Sequence, residues 1–167
     1  MDPATLTQLV ASLPPEKLAA LLTQTIGGLD AHLGLAFVWA SPDKVIARLT
    51  PGPQHTQPYG LVHGGVYCSA TEATCSVGAA LAVLPTGRNA VGVENHTRFL
   101  HAARPGTTLT STATPAQVDG PRHTWSAVVT DADGTCCARA EVVVRALDPQ
   151  AHVGGAAVRL ERHLGED

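Results

Sequence analysis

The chain has 167 residues, a formal net charge of −3, 44% hydrophobic and 15% charged residues. That length and apolar share fit one globular domain with short appendages and exclude wholesale disorder. The absence of any basic run argues against a nucleic-acid partner, and the longest aliphatic stretch, Val77 to Leu84 with its one glycine, is too short to cross a bilayer.

Aromatic residues make up only 4%, so the core must be built from small and β-branched side chains. The N-terminus carries Asp2 and no charged-then-apolar signal pattern. Cys68, Cys75, Cys136 and Cys137 form no C-x-x-C pair and no metal-ligand spacing. Free thiols without a signal are expected in the cytoplasm, with no membrane partner.

Residues 4 to 28 read as helical. Leu6, Leu9, Val10 and Leu13 follow one helical face, Pro14-Pro15 interrupts it, Leu18, Leu21, Leu22 and Ile26 resume it, and Gly27-Gly28 supplies a stop. Two extended segments follow, 33 to 40 and 44 to 50, joined by Ser41-Pro42-Asp43. Residues 51 to 62 hold three prolines and two glycines and read as a loop. His63 to Leu84 is the long central helix. It is small and weakly polar all round, so it is expected to be enclosed by other structure.

After Pro85 only strands are expected, over 88 to 100, 107 to 118, 123 to 130 and 135 to 147. Turn residues separate them and no helix intervenes, so neighbours should be antiparallel. Residues 148 to 167 read as a tail with at most one short helix. The organisation is therefore a helical extension over 1–29, an α+β domain over 30–147 in which an antiparallel sheet curls around one helix, and a tail over 148–167.

One charge stands out by isolation. Between Arg48 and Arg88 the only Asp, Glu, Lys or Arg is Glu72, in the middle of the helix expected to be buried. A buried carboxylate is costly unless paired or used, and desolvation suits it to act as general base or nucleophile near neutral pH. A structural Glu, hydrogen-bonded to its surroundings, is equally compatible with isolation alone. His63-Gly64-Gly65 opens the same helix. Glycines there allow close approach of a ligand, and unpaired N–H groups at a helix start can stabilise an oxyanion.

Gly64 and Glu72 are eight residues apart on one helix, about 12 Å along its axis. One carbonyl cannot touch both groups of the same chain. If they cooperate, they come from different subunits, and a homodimer with two equivalent sites is expected. Ser76 lies one turn after Glu72, where it could hold the carboxylate or a water, although back-bonding to the Glu72 carbonyl is the commoner habit of a helical serine. Gln57, in the preceding loop, is a neutral amide able to polarise a carbonyl.

The segment V-H-G-G-V-Y-C-S-A-T-E-A-T-C-S, residues 62 to 76, resembles the signature of hotdog-fold acyl-CoA thioesterases. Within that family it resembles the branch of the phenylacetate-pathway, Arthrobacter-type 4-hydroxybenzoyl-CoA and enterobactin proofreading thioesterases. Residues 92 to 106 and 123 to 140 are similar to the family's next strand and its last hairpin. The resemblance implies a hotdog fold over residues 30 to 147 and a homodimer that pairs into a homotetramer; no cofactor or metal is expected. It implies that Glu72 is nucleophile or general base, that the Gly64 N–H and Gln57 polarise the thioester carbonyl, that Ser76 helps hold the water, and that His63 orders the turn.

Family members commonly carry Arg-Pro where this chain has His101-Ala102, and that arginine helps bind a CoA phosphate. His101 and Gly65 are therefore candidate substrate contacts, with Arg104 or Arg122 as possible replacements for the missing charge. Some relatives place a substrate-contacting histidine where this chain has Phe99.

The expected activity is hydrolysis of an acyl-CoA. The alternatives are a thioesterase acting on acyl-carrier proteins, a silent acyl-CoA or lipid-binding module of the same fold, and, lower, a hotdog hydratase. A metal hydrolase is disfavoured because no two of the eight histidines make an H-x-H or H-x-x-x-H pair, and a serine hydrolase because G-x-S-x-G is absent.

Overall fold

A computed structural model describes residues 3–158. Helices α1 (Pro3–Ser12) and α2 (Pro15–Thr25) form the N-terminal arm. Pro15 starts α2 at a position where its missing N–H costs nothing, with Glu16 in the positive first turn. The expected stop at Gly27-Gly28 ends α2, but Gly28, at φ +59°, also opens a further short helix, α3 (Gly28–His32). The boundary expected after residue 29 thus falls inside α3. Leu18 and Ala19 of α2 are buried in the same hydrophobic cluster as the sheet.

Strands β1 (Ala36–Ser41), β2 (Lys44–Leu49), β3 (Asn89–Phe99), β4 (Leu109–Asp119), β5 (Arg122–Thr130) and β6 (Cys136–Leu147) form one sheet in the order β1-β2-β4-β5-β6-β3. Every neighbouring pair is antiparallel. Helix α4 (Gly64–Val83) lies across one face of this sheet, as expected for a sheet curled around one helix. Where a tail helix was allowed for, the chain makes a small hairpin of β7 (His152–Val153) and β8 (Ala156–Ala157). The last part of the expected tail, 159–167, lies outside the described residues.

Small residues set the closeness of helix and sheet. Trp125 of β5 is fully buried, and its ring lies where a side chain on Gly78 would have to go. The low aromatic content is thus compensated by short side chains on α4 and valines and alanines on the strands, which together fill the interior. By length and composition Gly64–Thr86 could cross a membrane, but most of it is buried within the protein, so here it is a core helix.

The sheet encloses α4 on one side only. Cys68, Ser69, Glu72 and Ser76 on its other side are half-buried rather than enclosed. The two edges of the sheet differ as well. At β1, Thr23 of α2 covers the edge: the Phe37 N–H donates to Thr23 Oγ1 at 2.8 Å, and that hydroxyl donates to the Phe37 carbonyl at 3.2 Å. β3, the other edge, pairs with β6 alone; its Val93 is half exposed, and its Phe99, with Leu100 just beyond it, more than half.

Candidate active site

Helix α4 carries Glu72 on the side the sheet leaves open. Both carboxylate oxygens are held. Ser76 Oγ donates to Oε1 at 2.9 Å, so the serine does not back-bond to the Glu72 carbonyl. Asn95 Nδ2, from β3, donates to Oε2 at 3.0 Å and to the Cys68 carbonyl at 3.2 Å. Two neutral donors hold the anion in place without neutralising it. On the β3 side the carboxylate presses against Gly92, where any Cβ would overlap Oε1. Burial, reinforced by the Glu72 charge, pushes the neighbouring Cys75 thiol up, so it stays protonated.

Glu72 opens into a hollow of about 480 Å³ between α3 and α4. Leu29 and Asp30 of α3 face Cys68, Ser69 and Ala73 across it. Burial, and behind it the Glu72 charge, raises the Asp30 carboxyl above the ordinary range.

A second, separate hollow of about 260 Å³ sits at the start of α4. His63 caps the helix, its Nδ1 accepting the Gly65 N–H at 2.9 Å. The Gly65 N–H is thereby used, and among the described residues none accepts from the Gly64 N–H. A side chain on Gly64 would have to push the exposed Phe99 ring aside, because a Cβ there would lie 2.8 Å from that ring, which forms part of the hollow's wall. Gln57 lies in the same hollow. Its Oε1 accepts the Tyr59 N–H at 2.8 Å, which leaves its Nε2 to donate. Leu100, His101 and Ala102 complete the rim.

The structure therefore divides the expected residues into two groups. Glu72 and Ser76 line one hollow; Gln57, Gly64 and His101 line the other. The remaining candidates line neither. Arg104 is exposed in a turn, and Arg122 is ion-paired to Glu94 at 3.1 Å. That pair holds the Glu94 carboxyl below its usual range. Among the described residues no three His, Cys, Asp or Glu group as a metal site would require. Sequence reasoning missed Asn95, Gly92 and Asp30. Asn95 and Gly92 were read only as strand residues, and Asp30 fell at the boundary between the helical extension and the domain, where no chemistry was assigned.

The chain matches the family model "Thioesterase superfamily" over residues 59–138. It is 35% identical over 122 residues to the Mycobacterium tuberculosis protein Rv1847, whose name marks it as a candidate esterase; the match covers 71% of this chain and 86% of that one. It is 27% identical over 120 residues to a 1,4-dihydroxy-2-naphthoyl-CoA hydrolase of Listeria monocytogenes, covering 71% and 96%. Among solved structures, that of AziG from S. sahachiroi is 35% identical with a TM-score of 0.69, covering 72% of this chain and 97% of that one. A Haemophilus influenzae thioesterase, at 22% identity and a TM-score of 0.72, shares the fold. The chain belongs to the thioesterase superfamily: it is a hotdog-fold member of this family of thioester hydrolases.

Proposed function

We propose that the protein hydrolyses an acyl-CoA to the free acid and CoA, at sites completed by two subunits. The observation that carries this reading is the division of the machinery between two hollows. Glu72 is poised in one and the unused Gly64 N–H in the other, about 12 Å apart along α4. Antiparallel docking of two copies along the open β3 edge would set the Glu72 hollow of one against the Gly64 hollow of its partner. Exposed Val93, Phe99 and Leu100 supply apolar surface for that contact. The pairing of two such dimers into a tetramer, and a cytoplasmic location for a chain whose four cysteines are all free, belong to the same proposal.

The chemistry follows from the groups present. With the thioester carbonyl oxygen on the partner's Gly64 N–H and Gln57 Nε2, negative charge developing on that oxygen meets two donors at a helix start. Glu72, held by Ser76 and Asn95, takes a proton from water as it attacks the carbonyl carbon, or attacks that carbon itself to give an anhydride that water then opens. Collapse of the tetrahedral species breaks the C–S bond and releases the thiolate. A carrier-protein thioester is the second reading. One observation favours it: among the described residues lining the Gly64 hollow, His101 is the only titratable side chain besides Tyr67, so no described arginine stands there for a CoA phosphate.

Thiol release from a panel of acyl-CoAs, with Glu72→Gln beside the native protein, tests the proposal. Loss of the carboxylate should lower kcat about 10²- to 10⁴-fold. Equal turnover by both proteins would remove Glu72 from the mechanism, and turnover of carrier-bound thioesters alone would select the second reading.

A further inference from the structure

Asp30 is the second carboxylate of the Glu72 hollow, and nothing in the reaction just described uses it. It reaches the hollow from α3, on the N-terminal side of the segment that matches the family model. Its side chain is half-buried, and among the described residues it has no hydrogen-bond or ion-pair partner. The same hollow contains no Lys, Arg or His among its described lining. Two carboxylates therefore share a space without a cation. The rest of the wall is uncharged, with Leu29, Cys68 and Ala73 beside the free hydroxyl of Ser69.

That charge decides which way a thioester lies. A CoA arm carries several negative charges, as does a phosphopantetheine arm at its phosphate end. A hollow with two carboxylates repels such an arm, whereas the described lining of the Gly64 hollow contains no carboxylate. The thiol arm is left to the Gly64 hollow, and the acyl group falls between α3 and α4, beside Asp30.

We infer that Asp30 is a specificity-determining residue of the acyl pocket, favouring acyl groups that bring a positive charge or a hydrogen-bond donor and rejecting those that bring a carboxylate. The inference rests on the thioester-hydrolase reading above. A second anion beside Asp30 and Glu72 would meet repulsion with no Lys, Arg or His among the described lining of that wall, and among the described lining of the partner's hollow His101 is the one basic side chain. An ammonium or hydroxyl would instead give the unpartnered Asp30 oxygens a donor. The raised Asp30 carboxyl fits a group that has burial and a like charge around it and no compensating partner.

The experiment measures kcat/KM for three CoA thioesters of one length: hexanoyl-CoA, adipoyl-CoA with its terminal carboxylate, and 6-aminohexanoyl-CoA. Native protein, Asp30→Asn and Asp30→Lys are compared. For charges several ångströms apart across a half-exposed hollow, the native protein should disfavour the carboxylated substrate by on the order of tenfold against the neutral one, less at high salt. Asp30→Asn should bring the three substrates within about threefold of one another, and Asp30→Lys should invert the order. A merely structural Asp30 would lower all three values together and leave their ratios unchanged, and that result would overturn the inference. Absence of thiol release by the native protein from any neutral acyl-CoA is distinguishable from it, since then the thioester reading itself fails and the inference falls with it.

Discussion

Glu72 has a donor on each oxygen, and the two donors come from different places. Ser76 is one helical turn away, so its hold on Oε1 is local and rigid; Asn95 reaches Oε2 from β3 and ties the helix to the sheet edge. Removing either should loosen the base without abolishing it. Ser76→Ala is expected to lower kcat by about tenfold with KM little changed, and Ser76→Thr, which keeps the hydroxyl, should recover much of the loss. Gly92 acts by having no side chain. In Gly92→Ala the new methyl group takes the place of Oε1, so kcat should fall while the far-ultraviolet circular dichroism stays native. Asp30 gives a stability prediction. Its carboxyl is raised in the fold, so the unfolded chain gives up this proton at lower pH than the native one. Its contribution to stability therefore falls as pH rises through the raised value, and Asp30→Asn should have a higher Tm than native protein at pH 7. That difference should disappear below the ordinary aspartate range, where both states keep the proton. Much of this site was legible: Glu72 by its isolation, Ser76 by its i+4 spacing, His63-Gly64 by the helix start. Asn95 and Gly92 were not, because they meet Glu72 through tertiary packing that leaves no local spacing signal.

At the scale of elements, alternation and turn chemistry gave every strand of the large sheet to within a few residues. What they could not give was the irregularity in β3. Strict alternation back from Asn95, whose side chain faces α4, would put Val93 beneath Glu72. The pairing with β6 shifts between Gly92 and Glu94, Val93 is set outward at half exposure, and Gly92 takes its place against the carboxylate. A bulge of this kind re-aims one side chain at a site and breaks the period that sequence reading depends on. The enclosure expected for α4 was half legible: small residues on all sides were read as enclosure by other structure, whereas the sheet covers one side only. Gly78 marks the covered side. Gly78→Ala should force the Trp125 ring outward and destabilise the fold by about 1–3 kcal/mol, read as a lower denaturant midpoint at unchanged m-value. The same change on the open side, at Ser69, should cost far less.

The whole molecule makes sense of both halves of α4. Its covered face builds the core, and its open face carries a carboxylate in one hollow and stands apart from the N–H groups at the helix start, which face another. The proposed second copy rests on the open β3 edge, the exposed Val93, Phe99 and Leu100, and the separation of about 12 Å. Disrupting that edge with Val93→Arg should yield a folded monomer without thioesterase activity, seen as a halved or quartered mass by light scattering. The shared site itself can be tested by mixing subunits. Glu72→Gln lacks the carboxylate, and Gly64→Pro lacks the amide donor at the first helical position, where proline's missing N–H costs nothing and its ring need only turn the exposed Phe99 side chain aside. Each homodimer should be inactive. Co-refolded in equal amounts, the two should recover about one quarter of the native rate, because half of the dimers are mixed and each mixed dimer holds one site with both groups intact. Recovery near that value is the result this account predicts. A mixture as inactive as its parents would place Glu72 and Gly64 in the same subunit's site and contradict it.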